Sequence, residues 1–187
     1  MPLRKVVVIG PESTGKSTLC AALAEHFQTS WVPEYAREYL ELHGPAYTYE
    51  TLTVIARGQL AAEDAAVAAL KQQTVYTAAA QPAKDSLLFI DTDMYVMKVW
   101  SEFVFGRCEI RVLDEIARRR YDLYLLCKTD LPWAGDAIRE YPDKATRDRL
   151  YHIYKDLLVN QSTPWAEIGG QAGERLQAAI DAVSRLL

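Results

Sequence analysis

A chain of 187 residues is long enough to bury a sizeable core, and its 50% hydrophobic and 25% charged residues are ordinary for a globular protein. The net charge of −4 leaves no basic footprint for nucleic acid. Cys20, Cys108 and Cys127 make no C-x-x-C or Cys/His zinc pattern, no apolar run reaches the length of a membrane span, and no signal peptide precedes the first strand, so a cytoplasmic protein with reduced thiols and no membrane contact is expected.

The first element is an apolar, β-branched run, Val6 to Ile9, which predicts a buried strand. It is followed by Gly10-Pro11-Glu12-Ser13-Thr14-Gly15-Lys16-Ser17, which fits G-x-x-x-x-G-K-[ST] between a strand and a helix. Gly10 and Gly15 permit the backbone angles of a sharp turn. The turn leaves amide N–H groups facing inward, and the helix start adds more, which makes a cradle for polyphosphate. Gly10, Glu12, Ser13, Thr14, Gly15, Lys16, Ser17 and Thr18 are therefore the expected nucleotide-binding residues. Lys16 is expected to reach the β- and γ-phosphates and Ser17 to ligate Mg²⁺. Glu12, an acid in an anion cradle, is expected to turn its side chain toward solvent or the substrate side. The alternative is a glycine-rich connection with no ligand.

Leu19, Leu23 and Phe27 share one face and predict a helix from Lys16 to Phe27. Ser30 to Pro33 reads as a short strand, and Glu34 to Leu40 as a helical segment ending near Gly44-Pro45. Residues 49 to 80 read as mostly helix, with a break or a close approach at Gly58. Gln81 to Asp85 is a turn, and Ser86 to Ile90 a second buried strand ending in Asp91-Thr92-Asp93. Helices follow to about Arg120. Tyr121 to Cys127 is a third strand, and a charged segment comes after it, read as a flap over 131–149. Tyr151 to Leu158 is helical, Trp165 to Ile168 is a last strand, and a final amphipathic helix runs to Leu186.

Strands alternating with helices predict an α/β fold, a P-loop NTPase-like parallel sheet with helices on both faces, as one domain over 1–187. Ligands of such sheets sit at the carboxyl ends of the strands. Gly10, Glu34, Asp91 and Lys128 follow predicted strands, so they should surround one crevice.

Asp91 falls where a carboxylate holds Mg²⁺ beside the loop hydroxyl, the alternative being a helix cap. Asp93 either caps the next helix or takes the proton of an attacking hydroxyl. Glu34 grips a sugar hydroxyl, acts as base or neutralises a cationic substrate, unless it is only a solvated helix start. Tyr35 and Arg37 extend that wall, with Arg37 pairing to Glu34 or Glu38. Gly58 would let a substrate approach the backbone while Gln59 bonds it. In the flap, Asp136 and the arginines at 139, 147 and 149 would close over the transferring phosphate, Arg139 first, unless they form a solvated face. Trp133 is placed to stack on a planar ring, whereas Trp31, Trp100 and Trp165 read as core or near-core. His26, His43 and His152 read as surface or satisfied residues.

The motifs GPESTGKST, PEYAREYL, ARGQ, FIDTD and YDLYLLCKTDLPWAGDAIRE, in this order over roughly residues 4 to 160, resemble the ribosylnicotinamide kinase domain of NadR-like proteins. The resemblance implies a nucleoside kinase-like fold and transfer of the ATP γ-phosphate to the 5′-hydroxyl of nicotinamide riboside, giving nicotinamide mononucleotide. It implies that Lys16 and Ser17 serve ATP–Mg²⁺, that Glu34, Asp91 and Asp93 line the metal and riboside site, and that Trp133 lies beside the pyridinium. NadR proteins often carry an adenylyltransferase domain and some a DNA-binding domain, for which this chain has no room, so a stand-alone kinase is expected. The flap reads Gly-Asp-Ala-Ile-Arg where the family tends to have Asp-Gly. The rivals are a kinase for another nucleoside or small metabolite, a GTP-driven switch using Cys127-Lys128-Thr129-Asp130, and an ATP-binding module without chemistry. Cysteine cannot supply the paired donor and acceptor of the asparagine such a switch uses. Oligomeric state is not read from the sequence.

Overall fold

The computed structural model describes residues 3–77 and 86–187, so the turn expected at 81–85 lies outside the described residues. Five strands, β1 (Arg4–Ile9), β2 (Ser30–Val32), β3 (Leu87–Asp91), β4 (Leu123–Cys127) and β5 (Trp165–Ile168), form one parallel sheet in the order β2-β3-β1-β4-β5. The central strands are apolar on both faces because both faces are covered. Val6, Val8, Phe89 and Leu125 pack under α1 (Lys16–Phe27) and α7 (Ala172–Ser184). Val7, Ile9, Leu88, Ile90 and Leu126 pack under α3 (Tyr49–Thr77), α4 (Met94–Phe105) and α6 (Lys144–Val159). A third cluster joins α2 (Tyr35–His43) and α5 (Ile110–Arg118) to α3 and α4.

Of the two readings of Gly58 the close approach holds, and one expectation, the flap over 131–149, is corrected. α3 runs unbroken through Gly58. The close approach there is made by the Tyr35 ring, whose carbons would lie 2.0 to 2.4 Å from a Cβ at residue 58. The charged stretch 131–149 is not one flap: residues 131–143 carry no helix or strand, and α6 begins at Lys144, capped by Asp143 accepting from Thr146 N–H at 2.7 Å. Among the described residues, no helix is long and apolar enough to cross a membrane.

Candidate active site

β1 delivers the glycine loop at the carboxyl edge of the sheet. Gly10 takes φ 142°, and a Cβ on it would meet the Cys127 carbonyl at 2.8 Å, so the loop hugs β4. Thr14 Oγ1 donates to the Pro11 carbonyl at 2.7 Å. Lys16 Nζ, almost buried, donates to the same carbonyl at 3.1 Å. Ser17 Oγ donates to Asp91 Oδ2 at 2.5 Å, which joins the first turn of α1 to the tip of β3.

Sequence reasoning missed Arg175 on α7. It is 4% exposed and donates to the carbonyls of Gly170 (2.9 Å), Thr14 (3.2 Å), Ile168 (3.3 Å) and Lys128 (2.9 Å), and to Asp130 Oδ1. C=O and the following N–H point opposite ways across a trans peptide. With the Thr14 carbonyl held by Arg175, the Gly15 N–H is turned away from it.

The acids divide into two kinds. Glu34 is the N-cap residue of α2 but makes no capping bond, so its side chain stands in the cavity wall. Asp91 is fully buried, and burial together with the Glu34 carboxylate raises its pKa, against the pull of Lys16 and Ser17. Asp93 is engaged at both oxygens. Oδ1 accepts from the N–H of Tyr95 (2.9 Å) and Val96 (3.4 Å), and Oδ2 from the Tyr124 hydroxyl (2.8 Å). Burial pushes its carboxyl up to about 7. Of the two roles left open for Asp93, the geometry is that of a helix cap.

Gln59 is not directed to a substrate. It is 2% exposed, its Oε1 accepts from Tyr35 N–H at 2.8 Å, and its Nε2 donates to the carbonyls of Asp91 (3.2 Å) and Pro33 (3.4 Å). It ties the tips of β2 and β3 together and leaves no group for a ligand. Tyr35 packs against Gly58 and does not line the cavity.

The stretch 131–143 lies over the glycine loop and is held by it. Glu12 accepts from the N–H of Glu140 (2.9 Å) and Tyr141 (3.1 Å), and Ser13 Oγ accepts from Ala134 N–H (2.9 Å). Burial raises the Glu12 pKa despite those two amides. Glu12 thus turns from the cradle to the covering segment. Arg37 pairs with Asp136 (3.1 Å) and more loosely with Glu41 (3.5 Å), rather than with Glu34 or Glu38. Arg139 pairs with Asp136 at 3.3 Å and bonds the Ala134 carbonyl, so it staples the segment to itself. Arg149 is exposed over the Phe103 ring, and Arg147 is buried in α6.

A cavity of about 170 Å³ opens between these parts. It is lined by Gly10 to Thr18, by Val96, Val99, Trp100, Phe103, Leu150 and Tyr154, and by Glu34, Arg37, Arg139 and Tyr141. Trp100, expected near the core, lines it, whereas Trp133 does not. Lys128 does not join the crevice either: its Nζ lies 3.7 Å from Glu167 on β5, away from the cavity walls. Asp130 is held by Gly170 N–H (2.7 Å) and Arg175.

A family described as an AAA domain (AAA_28) matches residues 5–175. Over 170 residues the chain is 27% identical to the "Trifunctional NAD biosynthesis/regulator protein NadR" of Escherichia coli K12, and equally to that of Salmonella typhimurium LT2. These alignments take in 89% of this chain and 38% of each relative, so the chain spans well under half the length of the curated relatives it matches. A crystal structure of NadR in complex with NR superposes with a TM-score of 0.76 at 24% identity, covering 98% of this chain and 49% of that one. NadR in complex with NAD and AMP-PNP gives 0.71 at 25% identity, with the same coverage. A thymidylate kinase from Ehrlichia chaffeensis gives 0.68 over the whole of both chains at 10% identity, a likeness of fold alone.

Proposed function

The chain belongs to that AAA-domain family and has the fold of the P-loop kinases, and from this premise we propose that it is an ATP-dependent kinase that phosphorylates the 5′-hydroxyl of nicotinamide riboside to nicotinamide mononucleotide. The observation that carries the reading is one cavity lined both by a phosphate cradle and by aromatic residues and an acid. A nicotinamide riboside ring is a planar cation. Trp100, Phe103 and Tyr154 line the cavity with aromatic side chains suited to it, and Glu34 supplies opposite charge.

The donor end follows from the loop. Lys16, parked on the Pro11 carbonyl, exchanges that neutral acceptor for the oxygens of a triphosphate, a stronger, charge-assisted bond. A hydroxyl and a carboxylate at hydrogen-bond distance are hard oxygen donors that suit Mg²⁺. Ser17 and Asp91 would hold it, and when bound it supplies neutralising charge on the phosphates. Glu34 accepts the proton of the riboside hydroxyl as its oxygen bonds the terminal phosphorus and the bond to the leaving diphosphate breaks. Asp93 keeps α4 in place rather than taking part. The engagement of Asp130 by Gly170 and Arg175 leaves it unsuited to reading guanine, which supports ATP over GTP as donor.

The test is a panel of nicotinamide riboside, uridine, cytidine and adenosine with ATP–Mg²⁺. Nicotinamide riboside is expected to be phosphorylated fastest. Faster turnover of another nucleoside removes the substrate assignment and leaves a nucleoside kinase.

A further inference from the structure

Among the described residues, Tyr124 and Tyr154 are the buried tyrosines, and they differ at one atom. Tyr124, 3% exposed, donates its hydroxyl to Asp93 at 2.8 Å. Tyr154, 4% exposed, belongs to the same apolar cluster, and among the described residues its hydroxyl has no hydrogen-bond partner. Buried polar groups are almost always bonded, and a buried tyrosine usually finds a partner for its tip.

The tip of Tyr154 is not sealed in. Among the described residues, the side-chain polar atoms that are fully buried and unbonded belong to Arg147 alone. The Tyr154 hydroxyl is therefore part of the little of that residue that stays open, and the space Tyr154 borders is the cavity. Leu150, one turn before it on α6, and Val96 and Val99 on α4 wall the same space with apolar carbon. A few polar groups set among apolar and aromatic walls are what orient a small ligand.

The charge of this hydroxyl is settled by its surroundings. Burial raises the pKa of the phenol, and the carboxylates of Glu34, Asp93 and Glu12 raise it further, so it stays a neutral donor. The same acids disfavour another negative charge beside it. The partner that suits it is a neutral oxygen rather than a phosphate.

We propose that Tyr154 determines acceptor specificity, its hydroxyl donating to a neutral oxygen of the acceptor nucleoside, either a ribose 2′- or 3′-hydroxyl or the carbonyl of a carboxamide on the base. The recognition chemistry is the same for each. The assignment rests on the kinase reading of the cavity and adds to it. The ring supplies surface to any planar base, whereas the hydroxyl favours only an acceptor with an oxygen at that position. A site that bonds such a group discriminates against the analogue lacking it, because the hydroxyl is then shut in without a partner.

The test compares wild type with Tyr154→Phe, which keeps the ring and removes only the oxygen. Calorimetry with nicotinamide riboside should show binding about three- to tenfold weaker in the variant, the scale of one neutral hydrogen bond, while AMP-PNP–Mg²⁺ binds both proteins alike. Equal affinity of the two proteins for the riboside overturns the proposal. So does an equal loss for riboside and AMP-PNP, which is the mark of a disturbed fold. Analogues identify the oxygen with wild type alone, and they decide the matter if Tyr154→Phe does not fold. N-ribosylpyridinium lacks the carboxamide, and the 2′-deoxy and 3′-deoxy ribosides each lack one hydroxyl. The analogue without the bonded oxygen should bind wild type about three- to tenfold more weakly than nicotinamide riboside does, and Tyr154→Phe should not tell the two apart. Wild-type binding of every analogue as tight as that of nicotinamide riboside overturns the proposal. If wild type does not bind nicotinamide riboside, the two proteins are compared on the fastest-phosphorylated nucleoside of the panel. A loss there upholds Tyr154 and removes the nicotinamide assignment, whereas no loss, or no nucleoside bound at all, removes both.

Discussion

Arg175→Met is the sharpest probe of how the cradle is held. Methionine roughly matches the stem in length, so the change removes donors without opening a large cavity. The Ile168 carbonyl keeps the Lys128 N–H at 2.8 Å, and Asp130 keeps the Gly170 N–H at 2.7 Å. The carbonyls of Thr14, Lys128 and Gly170 lose the guanidinium, and only the half-exposed Gly170 carbonyl is readily taken over by water. Two stranded carbonyls at about 2 kcal/mol each give a loss of about 4 kcal/mol. For a chain of this length that corresponds to a fall of roughly 10 °C in melting temperature. The functional loss should be larger than general softening explains. Freed from Arg175, the Thr14–Gly15 peptide can rotate, and the Gly15 N–H is no longer held in one direction. Urea unfolding gives the stability change, and calorimetry with AMP-PNP–Mg²⁺, well below the unfolding midpoint, should show about tenfold weaker binding. Arg175→Lys, which offers a charge but not the fork, should recover only part of either. An unchanged midpoint with wild-type affinity would refute the claim that α7 sets the loop's geometry.

Further expectations concern other contacts. Glu34→Gln should lower kcat by about two to four orders of magnitude, whereas Asp93→Asn, which still caps α4, should keep kcat within a few fold. The reverse pattern makes Asp93 the base. Gly58→Ala gains about 1 kcal/mol of helix propensity but drives a Cβ into the Tyr35 ring, so a net loss of about 1–2 kcal/mol is expected. In a Tyr35→Ala background the same change should stabilise, which a double-mutant cycle reads directly. For Asp130, partial burial pushes the carboxyl up, but the Gly170 amide and Arg175 outweigh it and hold the pKa below the ordinary value. Its stabilising contribution is therefore complete above the unfolded pKa near 4 and is lost as pH falls through the lower folded value. Asp130→Asn should be less stable than wild type at pH 7, with the gap closing on acidification below about pH 4. A gap that stays constant with pH removes the ionic share of that contact.

The regular parts of the molecule were legible because their signals are local. Val6 to Ile9, Leu87 to Asp91 and Leu123 to Cys127 announce themselves by apolar runs, the first two ending in glycine or acid, and the alternation with helices supplied the parallel sheet. The site was less legible where a polar side chain serves the backbone. Gln59 looks like a ligand contact until the strand tips that need its amide are placed beside it. Arg147 looks like a solvated residue, although its spacing with Leu150, Tyr154 and Leu158 marks the buried face and was a usable signal. Arg175 carries no such mark, because the carbonyls it holds come from three separate connections. Choosing between Trp100 and Trp133 required knowing which way the covering segment folds, and that is set by Glu12 and Ser13 from more than 120 residues away.

Those two ties have a bearing on how such a protein diversifies. Residues 131–143 belong to no helix or strand and are moored through a handful of polar bonds, so lengthening or rewriting them disturbs little of the interior. The gripping end has less latitude, since Ser17 is also bonded to the tip of β3 and Thr14 to α7. Lineages built on this plan are free to drift in what they accept while inheriting unchanged how they are fuelled.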